Sequence, residues 1–69
     1  MYWRIMFTRN GEFHGYLFSY NPACSGITEN ISSANTFDTE DDARKFAEEI
    51  LPEFEKGDSA NVWLYHLVH

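Results

Sequence analysis

The 69-residue sequence has little cysteine, little positive charge and no long apolar run. Its one cysteine, Cys24, cannot form an intrachain disulfide, which excludes a disulfide-stapled secreted scaffold and favours the reducing cytoplasm. No apolar stretch approaches the roughly 20 residues that cross a bilayer, and the first residues lack the apolar region and cleavage site of a signal peptide. We therefore expect a soluble protein with no membrane partner.

Basic residues are scarce, since five Lys and Arg stand against 11 Asp and Glu, for a formal net charge of -6. Between positions 29 and 58, ten acidic and three basic residues give -7. Affinity for phosphates depends on clustered Lys and Arg that displace counterions, so direct nucleic-acid binding is not expected. The natural electrostatic complement is a larger protein with a basic surface.

What the chain does have is apolar material, with 43% hydrophobic and 17% aromatic residues. Each buried aromatic side chain removes on the order of 150 to 250 Å² from water, so one small core can form. No internal repeat, linker or low-complexity tract divides the chain. We predict a single domain over residues 1–69.

A hairpin is the clearest local signal. Asn10-Gly11 lies between two runs rich in aromatic and β-branched residues, and a type I′ turn needs positive φ at both central positions. With a two-residue loop, strand partners sum to 21, which pairs Phe7 with His14 and Ile5 with Tyr16. One face of this hairpin is then nearly all apolar.

The segment after the hairpin is less regular. Pro22 and Gly26 predict a loop over positions 21–26, because both residues interrupt strand ladders. A weak alternation of apolar residues among Ser, Thr and Asn then predicts a short third strand, at a sheet edge, from Ile31 to Phe37.

A helix is predicted from Thr39, which is a suitable N-cap with Asp42 three residues later. An apolar stripe at helical spacing follows, and it consists of Ala43, Phe46, Ala47, Ile50, Leu51 and Phe54. Because Pro52 lacks an amide hydrogen, the regular helix should end near Leu51, with a kinked last turn closed by Gly57.

The segment from Asn61 to His69 predicts a final strand with apolar residues on both faces, which favours a central position in the sheet. A right-handed crossover would place it beside the first strand. The expected fold is α+β, an antiparallel sheet of three to four strands with one amphipathic helix on one face, in the order β-β-β-α-β.

Catalytic and metal-binding combinations are weak. Cys24 with His14 or His66 lacks any motif that places nucleophile and base together. His66 and His69 are three apart on a predicted strand and would point to opposite faces, so a metal site with His14 and Cys24 is not favoured. The glycines match no phosphate-binding fingerprint. We predict no catalytic, cofactor or metal site, although a small enzyme of unrecognised type stays as an alternative.

Two surfaces remain as candidate binding sites. One helix can cover only one sheet face, so an apolar patch is expected on the other, unless the loop 21–36 folds over it or the assignment of the two faces is inverted. Its candidate residues are Tyr2, Met6, Phe13, Leu17, Trp63, Tyr65 and Leu67. The second surface is acidic, and its alternative interpretation is an ordinary solvated helix face. The predicted partner-binding residues are Glu40, Asp41, Asp42, Glu48, Glu49, Glu53, Glu55, Trp63 and Tyr65.

The stretch Phe37-Asp38-Thr39-Glu40-Asp41-Asp42-Ala43, a strand end that leads directly into an acidic helix, resembles segments of many small phage and mobile-element proteins. The size, acidity and hairpin-plus-helix order are similar to those of the anti-CRISPR class of inhibitors. This resemblance implies binding to a nuclease or surveillance complex, in some cases at its nucleic-acid site. The β-β-β-α order also resembles arm-type DNA-binding domains of integrases, whose strands carry basic residues where this chain has only Arg4 and Arg9.

The sequence therefore favours a non-enzymatic protein-binding module, with a phage-type inhibitor among the candidates, that docks its acidic helix or its Trp63 and Tyr65 face on a larger protein. A structural homodimer is the alternative, pairing through the aromatic sheet face or an edge strand.

Overall fold

A computed structural model describes residues 1–21 and 24–69 of the chain, with the backbone alone at positions 19–21 and 24–25. Four strands and one helix occur in the order β-β-β-α-β, which confirms the predicted α+β class. The elements are β1 (Arg4–Arg9), β2 (Glu12–Asn21), β3 (Cys24–Thr28), α1 (Glu40–Gly57) and β4 (Trp63–Val68). The strands form one antiparallel sheet in the order β3-β2-β1-β4.

The predicted turn between β1 and β2 is confirmed, because Asn10 and Gly11 both adopt positive φ, 54° and 81°. The predicted register is wrong beyond Thr8, where a β-bulge intervenes and Phe7 pairs with Gly15 instead of His14. One extra residue in a strand turns every later side chain to the opposite face. Tyr16 therefore pairs with Met6 and does not share a face with Ile5.

Gly15 makes this bulge possible. It is buried, and a Cβ atom at this position would overlap the Ile27 side chain and lie 3.0 Å from the carbonyl oxygen of Thr28. Only a glycine lets β2 approach β3 this closely. The bulge delivers Leu17 to the core, where it is fully buried, so its predicted exposure is wrong.

The third strand lies earlier than predicted. It spans Cys24–Thr28 and so begins within the segment expected to be a loop; Pro22 and Ala23 themselves lie outside the described residues. The segment expected to be a strand instead contains a 3₁₀ turn at Ile31–Ser33, because the Asn30 side chain accepts a hydrogen bond from the Ser32 amide at 3.0 Å. Such local side-chain bonds compete with strand formation.

Phe37 keeps one feature of the predicted edge strand. It forms an isolated antiparallel bridge with Trp3, and the two residues exchange backbone hydrogen bonds of 2.8 Å. This bridge brings the chain to the start of α1, where the predicted N-cap is confirmed by a 3.1 Å bond from the Asp42 amide to the Thr39 hydroxyl oxygen.

The helix continues past Pro52 to Gly57, so the predicted end near Leu51 is wrong. Phe54 explains the extension, because its ring packs against those of Phe7 and Trp63 at centroid distances of 5.1 and 5.4 Å. Tertiary packing of the last turn outweighs the hydrogen bond lost at the proline.

The last strand lies beside β1, as predicted, but it is an edge strand and not a central one. The two apolar faces of β4 have different surroundings. One lies under α1, and the other belongs to the sheet face that α1 does not cover. The core between α1 and the sheet consists of Ile5, Phe7, Leu17, Ala43, Ala47 and Trp63. Within the described residues, no helix is long and apolar enough to span a membrane.

Candidate functional site

The acidic side of α1 faces solvent. We define the acidic helix surface as Glu40, Asp41, Asp42, Glu48, Glu49, Glu53 and Glu55, and all seven residues are exposed. Arg44 forms ion pairs with Glu40 and Asp41 at the first turn. Against these seven acids the helix carries Arg44, Lys45 and Lys56, so its own net charge is -4.

The acidic helix surface has two sides. The Tyr65 hydroxyl lies 3.4 Å from a carboxylate oxygen of Glu48 and donates to it, which fixes Glu48 on the side of α1 that faces β4. Glu55 follows seven residues later, close to two helical turns, and so lies on that same side. Glu49 and Glu53 are one helical turn apart and turn away from β4.

Trp63 and Tyr65 do not form an exposed aromatic face, so the exposure predicted for them is wrong. Trp63 is 6% exposed and Tyr65 is half-buried. Tyr65 pairs with Phe7 in the sheet, so both aromatic residues of β4 lie on the face that α1 covers. The Trp63 ring also stacks on Phe54 with an interplanar angle of 11°. The prediction failed because alternation within β4 separates its two faces without saying which one meets the helix.

The opposite face of the sheet carries the apolar patch. Pairing of alternate residues across β1, β2 and β4 places one set of side chains there. We define the open sheet face as Arg4, Met6, Thr8, Phe13, Tyr16, Phe18, Leu64, His66 and Val68. Within the described part of the chain, no helix or strand packs over this face.

Phe13 and Leu64 are the most exposed large hydrophobic residues of the open sheet face, at 52% and 51%. The ring of Phe13 packs edge-on against Tyr16 with 5.4 Å between centroids, and Met6 and Val68 are half-buried. Met6 and Phe13 were predicted for the uncovered patch and lie on it, whereas Leu17, Trp63, Tyr65 and Leu67 lie on the covered face.

Sequence reasoning missed Tyr16, Phe18 and Leu64 as parts of this patch. The sequence did carry a signal for such a patch. The two strands that flank Asn10-Gly11 and the final strand each have apolar residues on both of their faces. The bulge after Phe13 hid Tyr16 and Phe18, because it exchanges the two faces within β2. Arg4 is the one formal charge among the nine residues of the open sheet face. The acidic helix surface lies on the opposite side of the sheet, because α1 covers the other face.

Asp58, just after α1, holds together the loop between α1 and β4. It accepts hydrogen bonds from the Asn61 side-chain amide at 2.7 Å and from the Trp63 indole at 3.2 Å, and it pairs with Arg9 at 3.4 Å. The bond from Asn61, helped by those from Trp63 and Arg9, holds the pKa of Asp58 below its ordinary value. Asn61 in turn accepts from the side-chain amide of Asn10 at 2.6 Å.

The three histidines occupy separate places. His14 packs edge-on against Trp63 with 4.9 Å between centroids, and His66 lies 3.3 Å from the Thr8 hydroxyl oxygen. His69 packs on the Trp3 ring at 3.9 Å. The described side chains include no group of three His, Cys, Asp or Glu residues able to hold a metal ion. The side chain of Cys24 lies outside the described ones.

No protein-family model matches the chain, and neither a curated protein nor a solved structure is significantly similar to it.

Proposed function

We propose that the chain is a non-enzymatic protein-binding module that docks through its open sheet face. One observation carries this proposal, namely that Phe13 and Leu64 remain half exposed on the same uncovered face of the sheet, on either side of Thr8. Exposed apolar patches on small soluble domains commonly mark interaction sites. Aromatic side chains at the centre of such a patch contribute strongly to binding when a partner excludes water from them.

The acidic helix surface supports a basic partner. Its net charge of -4, on the side of the domain opposite the docking face, attracts positively charged proteins over distances of about a Debye length, roughly 8 to 10 Å in physiological salt. In this proposal the partner is a larger cytoplasmic protein or complex with a basic surface. A nucleic-acid-binding complex fits this description, because its phosphate-binding surface is basic, and a module held against such a surface would act as an inhibitor.

The proposal is tested with a double variant, Phe13→Ser with Leu64→Ser, which removes apolar area from the open sheet face and leaves the core unchanged. The matched control is Ile31→Ser, because Ile31 is also an exposed apolar residue, at 40%, but lies in the 3₁₀ turn. Each protein is immobilised, partners are captured from the native host, and affinity is then measured with the purified partner.

We expect the wild-type chain and the Ile31→Ser control to bind the same partner, and the double variant to lose at least about 10-fold in affinity, since anchor residues at an interface each contribute on the order of 1 to 2 kcal/mol or more. Circular dichroism establishes that all three proteins are folded. Equal affinity of the wild type and the double variant would remove the open sheet face from the proposal.

A homodimer is the second candidate function. It is favoured by the composition of the open sheet face, whose nine residues include no carboxylate, so two copies can meet there without opposing their acids. Sedimentation equilibrium over a wide range of concentrations separates the two functions. A dimer that dissociates in the Phe13→Ser and Leu64→Ser variant supports self-association, whereas a monomer throughout rejects it.

A further inference from the structure

The outer edge of β4 has unpaired backbone groups. The Asn10 amide donates to the Val62 carbonyl at 2.8 Å, so Val62 belongs to the set of residues whose backbone groups point toward β1. In an antiparallel pair, the backbone groups of successive residues point alternately toward the paired strand and away from it. The amide and carbonyl groups of Trp63, Tyr65 and Leu67 therefore point outward, and no backbone group in residues 1–21 or 24–69 bonds to them.

This edge lacks the usual protection. Natural edge strands are made unattractive to further strands by proline, by lysine or other charges, by bulges or by short length. The six residues of β4 have the sequence Trp-Leu-Tyr-His-Leu-Val, which contains neither proline nor a formal charge, and they pair with β1 in unbroken register. The strand is thus regular and long enough to accept another strand.

The two sides of this edge differ in chemistry. On the covered side, α1 packs against β4, Glu48 contacts the Tyr65 hydroxyl, and Glu55 lies on the same side of the helix. Arg44, one turn before Glu48, is already paired with Glu40 and Asp41. On the other side, Leu64 presents apolar surface that is continuous with the open sheet face. A strand added to β4 projects alternate side chains to these two sides.

We propose that the β4 edge binds an extended segment of the partner in which basic and apolar residues alternate. The segment forms backbone hydrogen bonds with Trp63, Tyr65 and Leu67, its basic side chains meet Glu48 and Glu55, and its apolar side chains extend the open sheet face. This inference rests on the proposed function, because it names the part of a partner protein that the module holds.

A second copy of the chain fits the edge less well. Antiparallel pairing of two β4 strands would bring two α1 helices together on the same side of the joined sheet. With the two strands centred on Tyr65, Glu48 of each helix would oppose Glu48 of the other, and like charges at such distances repel. Charge therefore selects a basic segment over a second copy.

The test uses a fluorescein-labelled peptide of about seven residues, a typical strand length, in which lysine and valine alternate. A control peptide holds the same residues with the lysines and valines in separate blocks. Fluorescence anisotropy in physiological salt measures the affinity of each. We expect the alternating peptide to bind at least about 5-fold more tightly, because only it places every lysine on the helix side. Equal affinity of the two peptides would show simple charge attraction and overturn the proposal.

Two modified proteins locate the site. The full chain is assembled from synthetic segments joined at Cys24, with an N-methyl group on the Tyr65 amide. This group removes one outward hydrogen bond and keeps the phenol ring. The matched control is N-methylated at Glu40, the first helical position, where the amide has no partner within the helix. We expect a loss of about 10-fold for Tyr65 and no change for Glu40.

Charge reversal tests the side of α1 that faces β4. Glu48→Lys with Glu55→Lys changes the net charge by the same amount as Glu49→Lys with Glu53→Lys, which alters the side of α1 that faces away from β4. We expect the first pair to weaken peptide binding about 5-fold more than the second, since screening limits the influence of distant charges. Equal effects would reject contact with Glu48 and Glu55.

The outcomes also separate this inference from the proposed function. If Phe13→Ser with Leu64→Ser releases the host partner but the chain N-methylated at Tyr65 retains it, the binding module stands and the edge site is wrong. If neither change affects the partner, both proposals fail. Loss with both changes supports a partner segment that lies along β4 and continues onto the open sheet face.

Discussion

The two faces of the sheet contain similar residues but have different surroundings. The covered face has Ile5, Phe7 and Leu17 fully buried under α1, whereas the open sheet face leaves Phe13 and Leu64 half exposed. Composition does not separate the two sets, since both are rich in aromatic and aliphatic side chains. The difference arises because one helix can cover only one face. Apolar side chains therefore stabilise the fold on the covered face and remain available to a partner on the other.

The largest expected effect comes from the covered face. Phe7→Ala removes a fully buried ring that contacts Phe54 and Trp63, so it should destabilise the domain by about 3 to 5 kcal/mol. A domain of this size is worth only several kcal/mol, so most molecules should unfold. Urea denaturation measures this change, and a loss below about 1 kcal/mol would contradict the described core.

Gly15→Ala tests the bulge that assigns the residues of β2 to the two faces. The added methyl group would overlap Ile27, and overpacking of this kind costs about 1 to 3 kcal/mol. Gly57→Ala is the matched control, because a Cβ atom there meets nothing within 4 Å. Thermal unfolding should show a clear loss for the first variant and little change for the second. Equal melting temperatures would argue against the described register.

Asp58→Asn tests how Trp63 is held on the covered face. A carboxylate whose pKa is lowered in the folded state stabilises the fold above its unfolded pKa, near 3.8, and that contribution is lost as the pH falls through the folded pKa. The difference in stability between the wild type and Asp58→Asn should therefore be constant near neutral pH and shrink in the acid range below about pH 4. Urea curves from pH 7 to pH 2 measure it, and a difference that grows toward low pH would contradict this role.

The smallest expected effect belongs to the open sheet face. Leu64→Ser alters a half-exposed residue that packs on no helix, so stability should change by less than about 0.5 to 1 kcal/mol. Denaturation of the isolated protein measures this, and affinity for the partner should fall in the same variant. A loss of stability as large as that of Phe7→Ala would mean that the face is covered in solution, as a homodimer requires.

Local signals in the sequence predicted several elements correctly. Asn10-Gly11 specifies its turn through positive φ, Thr39 caps α1 with its own hydroxyl, and the apolar stripe of α1 has helical spacing. Each of these features depends on atoms a few residues apart. The acidic helix surface follows from the same local pattern, and its exposure agrees with the sequence prediction.

Contacts between distant segments explain the errors. The bulge at His14 and Gly15 depends on Ile27 and Thr28, and the end of α1 depends on the packing of Phe54 beside Trp63. The burial of Trp63 and Tyr65 follows from pairing with β1, more than 50 positions away along the chain. Periodicity within one strand carries no information about such partners.

The sequence by itself determined the class of the domain, its turn, its helix with an acidic exposed side, and the excess of apolar residues over what one covered face needs. Only the tertiary structure decided which apolar set lies under α1, because the choice depends on a single bulge and on strand register. It also decided that β4 is an edge strand, since strand order follows from the packing of the whole chain and not from the residues of one strand.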